Sequence, residues 1–212
     1  MKYDLHIHSR RSDGAIQPEK VVEVARARGL DGIAITDHNT IRGSLDAKKA
    51  ETPDFEVIIG SEIATRGGDL IGLFLHEEIK SRGFAEAISE IHEQDGIAII
   101  PHPFDVLRPS SSRPSENEAI LADAIEVLNS RCLLRRDNDR AMNLARKLNL
   151  GMTAGSDAHL GREIGNAGII TDASDLRKAI RSGDLELFGH ASNVFNQCYT
   201  IAMNTWRGQR RG

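Results

Sequence analysis

The stretch of sequence that decides the fold is Tyr3-Asp4-Leu5-His6-Ile7-His8, near the start of the chain. Its apolar and β-forming residues predict a strand over residues 3–7. Because side chains alternate between the faces of a strand, His6 and His8 share one face while Ile7 packs on the other. Two imidazoles on one face can bind a single metal ion; the alternative is a buried structural pair.

Similar β-rich runs recur along the chain and alternate with amphipathic stretches, which predicts an α/β fold with a parallel sheet or barrel. Residues 64–69 suit a turn and no helix, so the strands on either side of them are expected to be antiparallel neighbours. The predicted helices cover residues 18–28, 84–94, 139–148 and 174–182. The predicted strands cover residues 3–7, 32–36, 56–61, 70–75, 97–100, 124–128, 152–154 and 168–171.

The bulk composition fits one globular domain of 212 residues, with 40% hydrophobic and 27% charged residues. Lys and Arg total 27 against 31 Asp and Glu, so no overall positive field attracts nucleic acid. No apolar run approaches the ~20 residues that a membrane span needs, and no secretory signal is recognisable, so we expect a cytoplasmic protein. Cys132 and Cys198 lack metal-ligand spacing, which argues against thiolate-bound zinc and against a disulfide framework.

Five of the eight histidines fall at the predicted carboxyl end of a strand: His6, His8, His38, His102 and His159. Three acids lie in the same segments, namely Asp13, Glu62 and Asp157. Taken alone, Asp13 is typical of a turn or helix cap, and Glu62 of ordinary surface. Together, mixed nitrogen and oxygen donors suit zinc, manganese or iron. Bridging carboxylates would allow two or three such ions to share a phosphate and activate water.

The chain resembles the polymerase and histidinol phosphatase (PHP) family over roughly residues 1–190. The resemblance implies a distorted (β/α)7 barrel, a trinuclear site, and phosphoesterase activity on small phosphates or nucleotides. We therefore expect a hydrolase domain over residues 1–192, with residues 193–212 forming a C-terminal helix and tail packed on the barrel. The motifs are Asp4-Leu5-His6-Ile7-His8-Ser9, Ser12-Asp13-Gly14, Thr36-Asp37-His38-Asn39, Gly60-Ser61-Glu62, Pro101-His102-Pro103 and Gly155-Ser156-Asp157-Ala158-His159.

The resemblance also implies a set of ligands for each ion. It assigns His6, His8, Glu62 and Asp157 to one ion, Glu62 and His102 to a second, and Asp13, His38 and His159 to a third, with Glu62 bridging. Members of the family usually supply a further histidine to the second ion, at the position where this chain has Asp69. We prefer Asp69 to His76, because His76 lies roughly 23 Å further along the strand at about 3.3 Å per residue.

The expected reaction is in-line attack on phosphorus by a metal-activated water, with Asp13, His38, Glu62 and His159 as catalytic residues. His159 or His38 could give the leaving group its proton. Asn129, Arg131 and Arg10 are the expected substrate-binding residues. The arginines in or near loops after strands, on the face where barrel enzymes bind substrate, are Arg10, Arg11, Arg42, Arg66, Arg108, Arg113, Arg131 and Arg162.

Several alternatives remain open from the sequence. The same metals could serve an exonuclease acting on short oligonucleotides, or a 3′,5′-bisphosphate nucleotidase. A carbonyl-directed amidohydrolase and an inactive metal-binding module, which only Asp69 motivates, are further readings. The expected partner is a small phosphorylated substrate, possibly a nucleotide, with no stable nucleic-acid partner, since Trp206 offers little stacking. The Pro/Ser-rich residues 105–118 are either a lid or a surface loop.

Overall fold

The computed structural model describes residues 1–190 and 192. The strands are β1 (Lys2–Ile7), β2 (Gly32–Ile35), β3 (Glu56–Thr65), β4 (Gly68–Leu73), β5 (Ile97–Ile100), β6 (Ala124–Asn129), β7 (Gly151–Gly155), β8 (Ala167–Ile170) and β9 (Glu186–Gly189). The helices are α1 (Pro18–Ala27), α2 (Arg42–Lys48), α3 (Phe84–Glu93), α4 (Glu116–Ala119), α5 (Arg135–Leu148) and α6 (Leu176–Ser182).

The strands form one sheet in the order β7-β6-β5-β4-β3-β2-β1-β8-β9. β1–β2–β3 and β5–β6–β7 pair in parallel, while β4 runs antiparallel between β3 and β5. The sheet curls until β1 meets the end of β7, where Ile7 and Ala158 form a parallel bridge and the His8 amide donates to the Ala158 carbonyl at 2.9 Å. The predicted α/β fold with a distorted barrel is confirmed.

The β3–β4 hairpin corrects one prediction. β3 was expected to end at residue 61, but its ladder with β4 continues to the pair Thr65–Gly68, and Gly68 turns the chain with a φ of 110°. Glu62 therefore lies inside a strand, opposite Ile71, and not at a strand end. A bridge to His38 also fixes its backbone, so the sheet itself positions this carboxylate.

The helices pack with one apolar face against the sheet, as the sequence periodicity predicted. In α1, for example, Val21, Val22 and Ala25 are buried. α5 begins at Arg135, four residues before the predicted start, because its first turn is charged and carries no apolar signal. α2 and β9 were not predicted: α2 has Gly43 and Ser44, which are weak helix formers, in its first turn, and β9 has only four residues.

Residues 105–118 are folded against the β3–β4 turn. The Asp69 amide donates to the Ser110 carbonyl at 3.1 Å, and the Phe104 amide donates to the Ser112 carbonyl at 3.0 Å. The end of this segment enters α4, whose first turn is held by a capping box between Ser115 and Glu118. The segment forms a wall beside the barrel mouth, and a role as a lid stays a prediction.

Two further expectations concern the C-terminal residues and membrane-spanning helices. The C-terminal helix and tail expected over residues 193–212 lie outside the described residues. Within residues 1–190 and 192, none of the helices combines the length and apolar character that crossing a bilayer requires.

Candidate metal centre

The mouth of the barrel, at the carboxyl ends of the parallel strands, collects the predicted metal ligands. His6 and His8 come from β1 and the residue after it, and Glu62 comes from β3. Among these side chains, those of His6, His8, Glu62, His102 and Asp157 are at most 1% exposed. The remaining members are His38 after β2, Asp13 in the loop after β1, and His159 after β7.

Four donor atoms form the tightest group. His6 Nε2 lies 3.2 Å from His8 Nε2, and His8 Nε2 lies 3.2 Å from Glu62 Oε2. Asp157 Oδ1 lies 3.4 Å from His8 Nε2 and 3.8 Å from His6 Nε2. Donors that share one ion at about 2.0–2.3 Å lie roughly 2.8–3.8 Å from each other. The group therefore has the spacing of one coordination shell.

The same atoms have unmet bonding capacity. Among the described residues, Glu62 Oε2, Asp157 Oδ1 and His8 Nδ1 are buried without a hydrogen-bond partner. Leaving a buried polar atom unpaired costs about 1–3 kcal/mol, and more when the group is charged. A cation among these atoms removes that cost, and the donor set of imidazole nitrogens and carboxylate oxygens fits divalent metal ions.

A second group joins the other oxygen of Glu62 to the loop after β5. His102 Nε2 lies 3.0 Å from Glu62 Oε1, and His6 completes this group. Asp69 faces Ala64 across the hairpin, so it shares a sheet face with Glu62. Asp69 is buried and its Oδ2 has no hydrogen-bond partner among the described residues, yet it joins none of the ligand groups they form.

A third group lies at the outer rim. Asp13 Oδ2 is 3.1 Å from His159 Nε2 and 3.6 Å from His38 Nε2, and His8 adjoins them. His159 Nδ1 lies 2.9 Å from the backbone carbonyl of Asp157, so Nδ1 carries the proton and Nε2 is free to bind a metal. Burial and the neighbouring His8 lower the pKa of His159.

His38 differs from His159 in its surroundings. Burial opposes its protonation, but the charge of Glu62 and the hydrogen bond to Asp13 raise the pKa of His38. Its side chain is 36% exposed, whereas that of His159 is 8% exposed. Of the two expected proton donors, His38 is the one with access to water.

Glu126 supports the cluster and was not predicted. Its Oε1 lies 3.0 Å from His6 Nδ1, and its Oε2 accepts from the His102 amide at 2.9 Å and from Asn129 Nδ2 at 2.8 Å. A carboxylate on the far nitrogen of a ligating histidine orients the ring and raises its basicity. The sequence did contain a sign of this role, because a glutamate in the otherwise apolar run of residues 124–128 is unusual for a buried strand.

Of the three expected substrate-binding residues, two are buried and paired with protein groups and one is exposed. Asn129 is buried and donates to Glu126 and Asp157, so its amide orients protein groups. Arg131 is buried and pairs with Glu163 at 3.3 Å, although it also lines a cavity of about 200 Å³ over His38 and His159. Arg10 is exposed and lies outside the lining of that cavity.

Arg108, one of eight loop arginines in the sequence, reaches the candidate ligands. Its Nη2 donates to Asp157 Oδ2 at 2.6 Å, and its Nη1 lies 3.1 Å from His102 Nε2. It also lines the cavity over His38 and His159. Since Asp157 Oδ1 stays free, the guanidinium leaves one carboxylate oxygen available for a metal.

Backbone strain marks the same region. His102 has a φ of 32° and Asp157 a φ of 54°, in the left-handed region that side chains other than glycine rarely adopt. Such conformations cost about 1–3 kcal/mol each and persist where the surrounding structure fixes them, often at functional sites. Here the strain aims two candidate ligands into the cluster.

Sequence comparison finds one matching family model and several related proteins. Residues 135–185 match the PHP-associated family. Two uncharacterized proteins of Methanocaldococcus jannaschii are 46% identical over 117 residues and 38% identical over 173 residues. These matches cover 49% and 79% of this chain, and 68% and 69% of the relatives.

Matches to enzymes with named activities are shorter. A 5′-3′ exoribonuclease of Haemophilus influenzae is 43% identical over 77 residues, 34% of this chain and 28% of the enzyme. A 3′,5′-nucleoside bisphosphate phosphatase of Chromobacterium violaceum is 47% identical over 47 residues, 22% of this chain and 16% of the enzyme. The chain thus spans less than a third of either enzyme.

Among solved structures, a two-domain protein of Bacteroides vulgatus containing a PHP-like metal-dependent phosphoesterase superposes with a TM-score of 0.72 at 24% identity. The match covers 90% of this chain and 65% of that protein. Fold, relatives and motif order agree with one another, and the chain belongs to the PHP family.

Proposed function

We propose that the chain is a metal-dependent phosphoesterase that hydrolyses small phosphate monoesters or nucleotides at a site of two or three manganese, zinc or iron ions. The observation that carries this proposal is the buried group of His6 Nε2, His8 Nε2, Glu62 Oε2 and Asp157 Oδ1, spaced as one coordination shell, with two of its oxygens unpaired. The short match to a bisphosphate phosphatase supports phosphate esters as substrates.

His6, His8, Glu62 and Asp157 would hold one ion, Glu62 and His102 a second, and Asp13, His38 and His159 a third. When bound, such ions supply Lewis-acid stabilisation of phosphoryl oxygens and lower the pKa of a coordinated water. Glu62 presents one oxygen to each of the first two groups, so it is the proposed bridge. The tie between Glu126 and His6 keeps the ring fixed during turnover.

Arg108 is the proposed phosphate-binding arginine. Its guanidinium has five donors, of which Asp157 and His102 engage the two η groups, and it lines the cavity where a phosphate would sit. A fork of donors matches two phosphoryl oxygens at once. Arg131, in the loop after β6, lines the same cavity and forms an ion pair with Glu163.

Since His38 would itself be a ligand of the third ion, the proposed donor of a proton to the leaving group is a water beside it. His38 lines the cavity, is partly exposed and lies 3.6 Å from Asp13 through Nε2. A donor must lie within hydrogen-bond reach of the departing oxygen, directly or through one water. Leu107 and Ser110 line the same cavity.

A nuclease acting stepwise on short oligonucleotides is the second candidate. The match to the 5′-3′ exoribonuclease favours it, and it would use the same ligands. A requirement for more than one nucleotide in the substrate would separate it from the first candidate.

The test is phosphate release, with added manganese, from sugar phosphates, nucleoside monophosphates, nucleoside bisphosphates and short oligonucleotides. Intact protein and Asp157→Asn are compared at equal concentration, with bound metal measured for both. We expect release by the intact protein and at least a 100-fold lower rate for the variant, about 3 kcal/mol at 1.36 kcal/mol per factor of ten. No release by metal-loaded intact protein would refute the proposal.

A further inference from the structure

One buried carboxylate beside the metal centre has no part in the proposed reaction. Glu163 lies in the loop between β7 and β8, and its side chain is fully buried. Its Oε2 accepts from the amides of His159 and Leu160, at 3.1 Å each. A charged acceptor of two consecutive amides fixes the backbone from which the His159 ring projects.

The same oxygen also contacts a second loop. Arg131, in the loop after β6, donates from Nη1 to Glu163 Oε2 at 3.3 Å. Both Arg131 and His159 line the cavity over the metal centre, whereas Glu163 lies outside its lining. Because the two contacts converge on one oxygen, Glu163 fixes the position of the arginine relative to the histidine.

A further contact holds the other oxygen of this carboxylate. Glu163 Oε1 accepts from the Ser192 hydroxyl at 2.9 Å. The Ser192 amide donates to the Ser130 carbonyl at 2.6 Å, and the Ser130 hydroxyl donates to the His190 carbonyl at 2.5 Å. The segment after β9 thus ties Glu163 to the loop that carries Arg131, and the buried charge is met by donors on both oxygens, as it requires.

The first group of candidate ligands contains a parallel, since Glu126 lies outside the ligands and orients His6. Loss of a carboxylate that supports a ligating histidine costs about 10–100-fold in metal affinity. Glu163 differs because it holds the backbone of His159, whose Nδ1 donates to the Asp157 carbonyl. Backbone and ring of His159 are therefore fixed by separate groups, and Glu163 also binds an arginine.

From these contacts we propose that Glu163 is a positioning residue, which holds His159 at the third ion and Arg131 at the edge of the same cavity so that both face one phosphate. The inference rests on the proposed phosphoesterase function. Glu163 acts through these two residues and touches no substrate. Misplacement of such groups by about 1 Å can cost about 100-fold in rate, so a fixed link between them matters.

The test uses two substitutions that separate the contacts of Glu163. Glu163→Gln keeps an oxygen for the two amides but removes the charge that pairs with Arg131, whereas Glu163→Ala removes both contacts. The matched control is Glu90→Ala on α3. Glu90 also accepts from two consecutive amides, those of Lys80 and Ser81, and lies outside the lining of the cavity.

Three measurements are made on each protein. Calorimetric titration with manganese gives the Kd of each ion, and His38→Ala identifies the step that belongs to the third ion. Initial rates give KM and kcat for the best substrate, and calorimetry gives the Kd of inorganic phosphate for manganese-loaded protein. Arg131→Ala, alone and combined with Glu163→Gln, completes a double-mutant cycle for KM and for the Kd of phosphate.

We expect Glu163→Ala to weaken binding of the third ion at least tenfold and to leave the Kd of the first ion within about twofold. Glu163→Gln should keep the third ion within about threefold and raise both KM and the Kd of phosphate about tenfold, because the guanidinium is no longer held. In the Arg131→Ala background, Glu163→Gln should change these two constants less than about twofold. Glu90→Ala should change none of them.

Two results would overturn the inference. The first is an unchanged third ion in Glu163→Ala, which would mean that the carboxylate only stabilises the loop. The second is a lower KM and a lower Kd of phosphate in Glu163→Gln, or equal effects of this substitution with and without Arg131, since the acid would then screen the arginine or act apart from it. If Glu163→Ala does not fold, Glu163→Gln and its cycle with Arg131→Ala still decide.

The binding measurements separate this inference from the proposed function. If no compound is hydrolysed, the proposed function fails. Weaker binding of the third ion in Glu163→Ala, and a loss of phosphate affinity in Glu163→Gln that depends on Arg131, would still support the positioning role. Unchanged ion and phosphate binding in both variants would refute it even where hydrolysis is found.

Discussion

The two ends of the barrel both carry a hollow lined by charged side chains, and they differ in how those charges are satisfied. The hollow at the amino end of the strands is the larger, at about 830 Å³ against 580 and 200 Å³ at the mouth. Its polar groups are paired: the Tyr3 hydroxyl donates to Glu56 at 3.0 Å, and Arg177 Nε donates to the Asp95 carbonyl at 3.1 Å. At the mouth, Glu62 and Asp157 keep unpaired oxygens.

The difference teaches that cavity size is a poor guide to function in this fold. Native proteins pair nearly all of their buried polar atoms, so a cluster of unpaired ones requires an explanation. At the mouth the explanation is a ligand of positive charge. At the amino end, none of the described residues that line the hollow has a buried unpaired side-chain atom, so nothing there calls for a ligand.

The largest effect is expected from Glu126→Gln, which removes the charge behind His6. Loss of a carboxylate that supports a metal-bound histidine costs about 10–100-fold in metal affinity. Glu56→Gln, the same change at the amino end, should leave manganese affinity within about twofold. Calorimetric titration of both variants with manganese measures the affinities. Equal losses of affinity in the two variants would contradict the difference between the two ends of the barrel.

Removal of metal should lower the thermal stability of the protein by a comparable free energy. A ligand at 100 times its Kd stabilises the folded state by about 2.7 kcal/mol, or roughly 5–10 °C in Tm for a chain of this size. Intact protein and Glu56→Gln should both show this shift between chelator and manganese in a calorimetric scan. Glu62→Gln should not, and a full shift in Glu62→Gln would place the stabilising ion elsewhere.

The smallest change concerns Tyr3 at the amino end. Burial and the adjacent Glu56 raise the pKa of the Tyr3 phenol above its ordinary value of 10.0. The stability that the neutral phenol contributes is therefore full below about pH 10 and falls as the pH rises above it, because the unfolded chain ionises first.

Absorbance at 295 nm in a Tyr199→Phe background measures this ionisation. Folded protein should show no phenolate step near pH 10, whereas protein in denaturant should show one. An ordinary titration of Tyr3 in the folded protein would mean that the paired charges at this end are less secluded than their burial indicates.

The sequence predicted that the candidate ligands would lie together, because a few local rules govern their positions. The period of two places His6 and His8 on one face, and the carboxyl ends of parallel strands meet at one rim, which brings in His38 and His159. Glu62 was named as a ligand, but its position inside β3 depends on a hairpin longer than the local pattern indicated.

The supporting groups could not be predicted in the same way, because their roles depend on pairings between distant segments. Arg131 looked free in the sequence, yet it pairs with Glu163, 32 residues away. Arg108 reaches Asp157 across 49 residues. Cys132 lies beside the buried acids Asp105 and Asp137, and burial with those charges raises its pKa to about 12, so it stays a thiol.

The bridge between Ile7 and Ala158 has a consequence for how the barrel holds together. This bridge joins segments about 150 residues apart, and His8 and Asp157 stand beside it on the two sides. An ion held by both acts as a cross-link that closes the ring of strands. Because the ion leaves when the chain unfolds, its contribution to stability depends on its affinity and free concentration, and is about 2.7 kcal/mol at 100 times its Kd. A metal bound for chemistry would thus also fasten the first strand to the last parallel one.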